Sequence, residues 1–497
     1  MSKRQQAMNR WVSRTGAVVL MTLTPALAFA SSGAETGAED LGHILPLWSM
    51  IPFVGILLSI AIFPLLFPVL WHHHFGKISA AWAAIFSLPF LLVYRGAAYH
   101  EISHIILIDY IPFIIVLAGL FTVGGGIVLR GSLVGTPAVN TLLLLVGTLL
   151  ASWVGTTGAA MLLIRPIIRA NAWRKHKQHI IVFFIFLVAN IGGSLTPLGD
   201  PPLLLGFIHG VPFFWTMGLI AHMSFVAAIL LVVFYLLDGY FFRREAEPPA
   251  PAADREPIRL DGGHNFVYLA GILGLVFMSG TLDLAEVSIL GVHVPLQDIY
   301  RNLGILMLLG LSWRTTSRAL RHANGFTWAP ILEVAYLFAG IFITIVPALA
   351  ILRAGSEGAL AGLINNVETS RQYFWVTGIL SSFLDNAPTY LTFFNTALGK
   401  LHLTEGEVSL FLAGGAAEGD LLMRLQNFEA LLVAISIGAV FMGANTYIGN
   451  APNFMVRAIA EENDISMPSF FGYMAWSLII LIPIFVLVTF VFLGDVP

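Results

Sequence analysis

Two aspartates stand inside long apolar stretches of this sequence, where an ionised side chain is costly. Asp200 lies in the phrase SLTPLGDPPLLLGF, and Asp385 lies in SFLDNAPTYL. A carboxylate at membrane depth is by default a functional hypothesis, because its removal from water costs free energy. A carboxylate that binds either Na⁺ or H⁺, but never both at once, already forms a minimal antiport site. The alternative for Asp200 is structural, since it would cap the half-helix that Pro201-Pro202 opens.

Hydroxyl and amide side chains accompany both aspartates at the same breaks in the apolar sequence. Such oxygens, without sulfur or histidine, suit hard cations such as Na⁺ rather than zinc or copper. We predict Na⁺ contacts from Asp385, Asn386 and Asp200, and no cofactor beyond the transported or coupling ion. The other candidate ion- or substrate-binding residues are Thr156, Thr157, Ser194, Thr196, Thr389, Asn445, Thr446 and Asn450. Each hydroxyl or amide has an alternative role, which is to cap the end of a broken helix.

The composition excludes a soluble globular enzyme. Of the 497 residues, 57% are hydrophobic and 11% are charged, whereas a soluble domain carries about 25% charged residues. The absence of cysteine excludes a disulfide scaffold, a thiolate metal site and a cysteine nucleophile. A net charge of −3 gives no reason to expect nucleic acid as a partner. The sequence therefore predicts a non-enzymatic, all-α polytopic membrane protein whose surroundings are the lipid bilayer.

Apolar segments and the positions of Lys and Arg predict the topology, because cytoplasmic loops collect basic residues. Residues 1–30 have the basic, apolar and small-residue order of a signal peptide, with an uncleaved first span as the alternative. After them we predict two inverted repeats, each with a re-entrant hairpin and a broken helix, and about 10 to 11 spans in all. The first repeat covers residues 31–244, with its hairpin at 136–169 and its broken helix at 180–209. The second covers 264–497, with its hairpin at 373–398 and its broken helix at 428–457, after a cytoplasmic linker at 245–263.

The two helix breaks can be superposed at a constant offset of 250 residues. Gly193, Thr196, Gly199 and Pro202 then coincide with Gly443, Thr446, Gly449 and Pro452. Irregular backbone at membrane depth is tolerated only against protein or a water-filled cavity. Corresponding Gly- and Pro-interrupted helices in two halves of opposite orientation are typical of secondary transporters, with the binding site near the midplane.

These motifs resemble the ion transporter superfamily, which includes dicarboxylate, citrate and arsenite carriers and sodium/proton antiporters of the NhaD type. The phrases around Asp200 and Asp385, together with GANTYIGNAPNFM at residues 443–455, are most similar to a bacterial branch labelled sodium/proton antiporter or citrate transporter. The resemblance covers the chain after residue 30. It implies a scaffold part, a transport part that moves like an elevator, a homodimer and a location in the bacterial inner membrane.

The residues at the two hairpin tips favour one functional hypothesis over the other. Dicarboxylate carriers of the superfamily have a Ser-Asn-Thr triplet at each tip, whereas this chain has Gly155-Thr156-Thr157 and Leu384-Asp385-Asn386. A carboxylate there would repel citrate unless it is protonated or paired with a cation, and it resembles the antiporter pattern. The sequence therefore favours a sodium or lithium/proton antiporter in which Asp385 is the shared carboxylate and Asp200 completes the site. The alternative is a transporter that couples Na⁺ or H⁺ to a small carboxylate such as citrate, or to an oxyanion.

Overall fold

The computed structural model describes residues 38–245, 257–355, 359–360 and 366–494. The predicted signal peptide at residues 1–30 lies outside the described residues, and so does most of the predicted linker. Within the described ranges the chain is mostly helical, in agreement with the all-α class that the sequence predicts.

The described residues form nineteen α-helices, which are numbered in chain order. The first half contains α1 (Ala38–Ile44), α2 (Ile51–Leu66), α3 (Pro68–His104), α4 (Ile111–Gly124), α5 (Pro137–Val154), α6 (Thr156–Ala170), α7 (Gln178–Leu187), α8 (Pro201–Ile208) and α9 (Ile220–Phe242). The second half contains α10 (Asn265–Ser279), α11 (Leu296–Thr315), α12 (Arg318–Ala323), α13 (Ala329–Arg353), α14 (Ser370–Phe383), α15 (Asn386–Leu401), α16 (Glu405–Leu412), α17 (Gly419–Met442), α18 (Ala451–Glu462) and α19 (Phe470–Phe492). Short turns of other helical types lie at Leu47–Met50, Ile105–Tyr110, Ile191–Leu195, Trp215–Leu219 and Gly443–Asn445.

Two pairs of short antiparallel strands complete the described secondary structure. β1 (Val128–Arg130) pairs with β2 (Arg259–Asp261), and β3 (Glu286–Ile289) pairs with β4 (Val292–Pro295). The first pair joins the chain after α4 to the chain before α10, and the second forms a hairpin between α10 and α11. Both are connections between helices, so the fold remains a helical one.

Eight helical segments of the described chain are long and apolar enough to cross a membrane. They are Leu47–Pro64, Val69–Gly124, Pro137–Val154, Gln178–Leu195, Trp215–Phe242, Ala329–Arg353, Gly419–Asn445 and Phe470–Phe492. The predicted polytopic membrane fold is therefore confirmed. This number is below the predicted 10 to 11 spans because Val69–Gly124, at 56 residues, has the length of more than one crossing, and because α10 has 15 residues where a straight crossing needs about 20.

The helices pack in two groups, which we call the first group and the second group. The first group contains α1–α4, α10, α11 and α13, and the second contains α5–α9 and α14–α19. In the first group α13 packs on α3 and α10 packs on α11; in the second group α14 and α15 both pack on α17. The groups meet where α13 contacts α15, where α4 contacts α6, and where the Ile105–Tyr110 turn contacts α8.

A buried ion pair fixes the loop between α6 and α7 to the end of α9. Arg174 Nη2 lies 2.5 Å from Asp238 Oδ1, and neither side chain is exposed. His179 Nε2 lies 2.8 Å from the same carboxylate oxygen, and Asn140 Nδ2 donates to the other oxygen at 2.9 Å. The contacts join α5, α7, α9 and this loop into one unit of the second group.

Replacing Arg174 with methionine should destabilise the protein by about 3–5 kcal/mol, because the Asp238 carboxylate stays buried without its cation. The matched control is Lys175→Met, since Lys175 lies in the same loop with an exposed side chain. Thermal unfolding of the purified protein in detergent measures both variants. Equal melting temperatures for the two variants would contradict the structural role of the buried pair.

Candidate functional site

Each hairpin lies against a helix break through the same contact. In the first half Thr196 Oγ1 donates a hydrogen bond to the carbonyl of Ser152 on α5. In the second half Thr446 Oγ1 donates to the carbonyl of Ser382 on α14. Two residues after each threonine, a backbone N–H donates back to its hydroxyl at 3.2 Å. The threonines that coincide at the 250-residue offset therefore make corresponding contacts.

Glycine closes both breaks because the backbone folds back on itself there. A Cβ atom at Gly199 would lie 2.1 Å from the carbonyl oxygen of Gly193, and one at Gly449 would lie 2.6 Å from that of Gly443. Both distances are too short for any side chain, so the paired glycines of the sequence have a steric cause. The prolines that follow, Pro201 and Pro452, lie in the first turn of α8 and α18, where a missing N–H costs nothing.

Asp200 stands between the two halves and is held by three neutral donors. Thr156 Oγ1 donates to Asp200 Oδ1 at 3.0 Å, and Asn450 Nδ2 donates to the same oxygen at 2.9 Å. Asn386 Nδ2 donates to Asp200 Oδ2 at 2.5 Å. Thr156 and Asn386 are the first residues of α6 and α15, so both hairpins and both breaks contribute. The Asp200 side chain is 1% exposed, and among the described residues no Arg, Lys or His forms a hydrogen bond or an ion pair with it.

The donors are arranged with the pseudo-symmetry of the two halves. Asn450 follows Asp200 by 250 residues and hydrogen-bonds directly to it. Thr156 and Asn386 each begin the second helix of a hairpin. The site therefore has two equivalent sides, with a carboxylate at the break of one side and an amide at the break of the other.

A chain of asparagines supports the site from the side of α7 and α18. Asn450 Nδ2 lies 3.2 Å from Asn190 Oδ1, and Asn190 Nδ2 donates to Asn453 Oδ1 at 2.7 Å. Asn453 Nδ2 then donates to the backbone carbonyls of Gly443 and Thr446, both at 2.9 Å. All three asparagines are at most 1% exposed. Because each amide nitrogen has an acceptor, the network fixes which way the amide of Asn450 faces.

Three amide oxygens at the site have no donor. They are Oδ1 of Asn386, Asn445 and Asn450, each buried and without a hydrogen-bond partner among the described residues. Buried acceptors are nearly always satisfied, so unpaired ones require an explanation such as a bound ion or water. Amide and carboxylate oxygens are suitable ligands for a hard cation, so this donor set fits Na⁺. The described residues hold no cluster of three or more His, Cys or acidic side chains that would fit another metal.

Asp385 has a different environment from Asp200. Its Oδ1 accepts a hydrogen bond from the backbone N–H of Ala387 at 3.0 Å, so it caps the start of α15, and its side chain is partly exposed. Asp200 also precedes a helix but makes no side-chain capping bond to α8. The capping alternative that the sequence raises for Asp200 therefore describes Asp385 instead. The two carboxylates interact electrostatically, which adds to the negative potential at the site.

The remaining predicted site residues bond mainly to local backbone. Ser194 Oγ donates to the carbonyl of Ile191, and Thr389 Oγ1 donates to that of Asp385, both at 2.9 Å. Asn445 Nδ2 donates to Ser382 Oγ at 2.9 Å and keeps its oxygen free. Thr157 is partly exposed and makes no side-chain hydrogen bond within the described part of the chain. As ion ligands these residues stay predictions.

Three residues of the network were not among the predicted site residues: Asn190, Asn453 and Ser382. Asn453 lies within the repeated break motif, so its position next to Asn450 was a usable signal. Asn190 is a single amide at the end of an apolar helix, and its sequence neighbours do not reveal that it faces the other half. Ser382 precedes the hairpin tip, where a serine is equally consistent with a local cap.

Comparison with protein families agrees with this architecture. A family model described as "Putative citrate transport" matches residues 42–493, which include both hairpins and both helix breaks. No curated protein matches the chain.

Asp385→Asn should leave the stability unchanged, because asparagine caps a helix as well as aspartate does. Asp385→Ala should cost about 0.5–2 kcal/mol, because the N–H of Ala387 loses its acceptor. Thermal unfolding of both variants measures the difference. If alanine and asparagine gave the same loss, the capping role of Asp385 would be wrong.

Proposed function

The chain belongs to the putative citrate transport family, and from this premise we propose that it is a secondary transporter that exchanges Na⁺ or Li⁺ for H⁺ at Asp200. It is a multi-pass membrane protein by its apolar helices and by its family. The family supports transport rather than enzymatic chemistry. The choice of ions rests on the chemistry of the site.

The observation that carries the proposal is a buried carboxylate with neutral partners. Asp200 has three hydrogen-bond donors but no cationic side chain against it in the described chain. Burying an ionised carboxylate in this way costs free energy, which a bound cation or a proton would remove. A site for an anionic substrate would instead be expected to present positive charge or free donors.

Na⁺ and H⁺ would compete for the same atoms. A proton on Asp200 would turn one carboxylate oxygen into a hydrogen-bond donor. Asn386 and Asn450 both hydrogen-bond to Asp200, and each has an unpaired Oδ1 atom as an acceptor for that donor. A sodium ion would use the carboxylate and such amide oxygens as ligands. Because either occupant neutralises Asp200 and needs the same oxygens, each would exclude the other, and this exclusion couples the two fluxes.

The two groups of helices supply the parts for alternating access. Thr156, Asp200, Asn386 and Asn450 all belong to the hairpins and breaks of the second group. In our proposal the second group is the transport part, and it carries the site past the first group, which is the scaffold. We also expect a homodimer in the bacterial inner membrane, as the resemblance to the ion transporter superfamily implies.

A second candidate is a carrier that couples Na⁺ or H⁺ to a small carboxylate such as citrate. The description of the family favours it. So does the meeting of four helix amino termini at the site, those of α6, α8, α15 and α18, because amide groups there attract anions. In this case Asp200 and the amide oxygens would hold the coupling ion.

Asp200→Asn should abolish cation/proton exchange in everted vesicles from cells without native antiporters. The neutral amide has no charge that Na⁺ and H⁺ could neutralise in turn. The assay records the collapse of a pH gradient on addition of Na⁺, Li⁺ or K⁺, and then of citrate. The matched control is Asp385→Asn, which keeps the cap and should retain exchange within about threefold.

Three outcomes of this assay decide between the hypotheses. If Asp200→Asn loses cation/proton exchange and Asp385→Asn retains it, the result supports exchange at Asp200. If only Asp385→Asn loses exchange, Asp385 is the shared carboxylate, as the sequence predicts. A response that requires citrate together with Na⁺ would contradict the antiport proposal and favour the coupled carrier.

Sodium should also stabilise the purified protein, independently of transport. At a Na⁺ concentration of 100 times its Kd the stabilisation is about 2.7 kcal/mol, because the ion binds the folded state alone. Melting curves in NaCl and in choline chloride at equal ionic strength measure this effect at pH 8, and Asp200→Asn should lose it. A sodium-dependent shift of the same size in Asp200→Asn would place the cation elsewhere.

A further inference from the structure

Five polar residues form a continuous chain of contacts where the two helix groups meet. We call Asp109, His209, Arg353, Asn395 and Glu405 the junction cluster. His209 Nε2 lies 3.0 Å from Asp109 Oδ1, and His209 Nδ1 lies 3.1 Å from Glu405 Oε2. Arg353 Nη2 lies 2.5 Å from Glu405 Oε1, and Arg353 Nε donates to Asn395 Oδ1 at 2.5 Å.

Three of these four contacts cross between the groups. Asp109 lies in the Ile105–Tyr110 turn and Arg353 ends α13, so both belong to the first group. His209 follows α8, Asn395 lies on α15 and Glu405 begins α16, so these three belong to the second group. Positive and negative side chains alternate along the chain. Relative motion of the two groups would therefore separate two opposite-charge pairs at once.

The charges around His209 favour its protonated form. Nδ1 hydrogen-bonds to Glu405, and Nε2 lies 3.0 Å from Asp109 Oδ1, a contact that has the distance of an ion pair but not the geometry of a hydrogen bond. Burial of the ring opposes the charge, since the side chain is 5% exposed, but Glu405 and Asp109 outweigh burial and raise the pKa of His209 to about 10. The other charged neighbour of the cluster is Arg353, and the nearby titratable groups on α3 are His104 and Glu101.

We propose that the junction cluster is a latch, which holds the two helix groups in the conformation described here and has to break before the second group can move. This inference rests on the proposed function, because a latch is useful only where one group moves against the other. Breaking it is costly because Asp109 and His209 are both buried, and an unpaired buried charge is strongly destabilising.

The latch should weaken as the pH rises. In the released conformation His209 would regain an ordinary pKa near about 6.5, below its value in the cluster. The protonated ring therefore contributes its full stabilisation below about pH 6.5. Above that, the equilibrium shifts towards release by up to about tenfold per pH unit until the ring also deprotonates in the cluster. Alkaline pH would thus favour movement.

A single cysteine can report the separation of the groups, because the chain has no cysteine of its own. Met161 of α6 is 3% exposed and packs against Phe121 of α4 and Ile331 of α13, so it is covered by the first group. In Met161→Cys, N-ethylmaleimide should react when the groups separate. At pH 6.5, adding His209→Gln should raise the rate of labelling at least about tenfold, equivalent to about 1.4 kcal/mol.

The same measurement at several pH values tests the role of the proton. The labelling rate at position 161 is divided by the labelling rate of Phe214→Cys, a separate variant whose cysteine lies at an exposed position. This ratio removes the pH dependence of thiol reactivity itself. The ratio should rise between pH 6.5 and 8.5 with His209 present. It should be independent of pH in His209→Gln.

One control variant and one further test variant complete the experiment. His293→Gln changes an exposed histidine on the β3–β4 hairpin, with 73% side-chain exposure, and should leave labelling unchanged. Glu405→Gln keeps His209 but removes the carboxylate between the two cationic groups, and it should raise labelling as His209→Gln does. Labelling that stays at the parental rate in both His209→Gln and Glu405→Gln overturns the latch.

Labelling needs neither a sodium gradient nor transport, so the two proposals fail separately. Faster labelling in the cluster variants, together with no cation exchange in vesicles, would support the latch and reject the assigned ions. Unchanged labelling with normal exchange would reject the latch and leave the ion site intact.

Discussion

The described site depends on one constraint: a single carboxylate is buried inside a helix bundle with no cationic side chain against it. Taking the Asp200 charge out of water is expensive, and neutral hydrogen bonds offset only part of that cost. The three donors come from both hairpins and from the second helix break. All three donors are side chains at the starts of α6, α15 and α18, so the helix starts at the two hairpin tips and at the second break bring them together. The broken helices therefore bring polar ends to the interior, where they meet around one charge.

Much of this arrangement could be predicted from local sequence. Glycine marks both breaks, because a Cβ at Gly199 or Gly449 would lie 2.1 or 2.6 Å from a backbone oxygen, and proline marks the first turn of the helix that follows each break. The different contacts of Asp200 and Asp385 could not be predicted. Both precede a helix start, and only the packing of the two halves shows that Asp385 bonds to its own helix while Asp200 faces the other half. The junction cluster was equally hidden, because His209 and Glu405 are 196 residues apart.

The site and the junction cluster differ in whether their charged side chains have partners of opposite charge. At the site, Asp200 lacks a cationic partner in the described chain, and in the proposed mechanism its charge is balanced by a mobile ion. At the junction, acidic and basic groups are matched, so they stabilise one arrangement of the helices. Fixed counter-charges suit a contact that must hold, and a carboxylate with neutral partners suits a contact that must exchange. In the two proposals, ion binding and the movement of the helix groups therefore depend on separate clusters.

The direct bond between Asp200 and Asn450 has a consequence for how such a chain can arise. These residues occupy the same position of two halves, 250 residues apart. Two identical half-length chains, related by an exact axis, would place either two carboxylates or two amides there. Two carboxylates at hydrogen-bonding distance would repel each other, and two amides would carry no charge. A single carboxylate bonded to the residue at the same position of the other half therefore requires two halves that differ at this position.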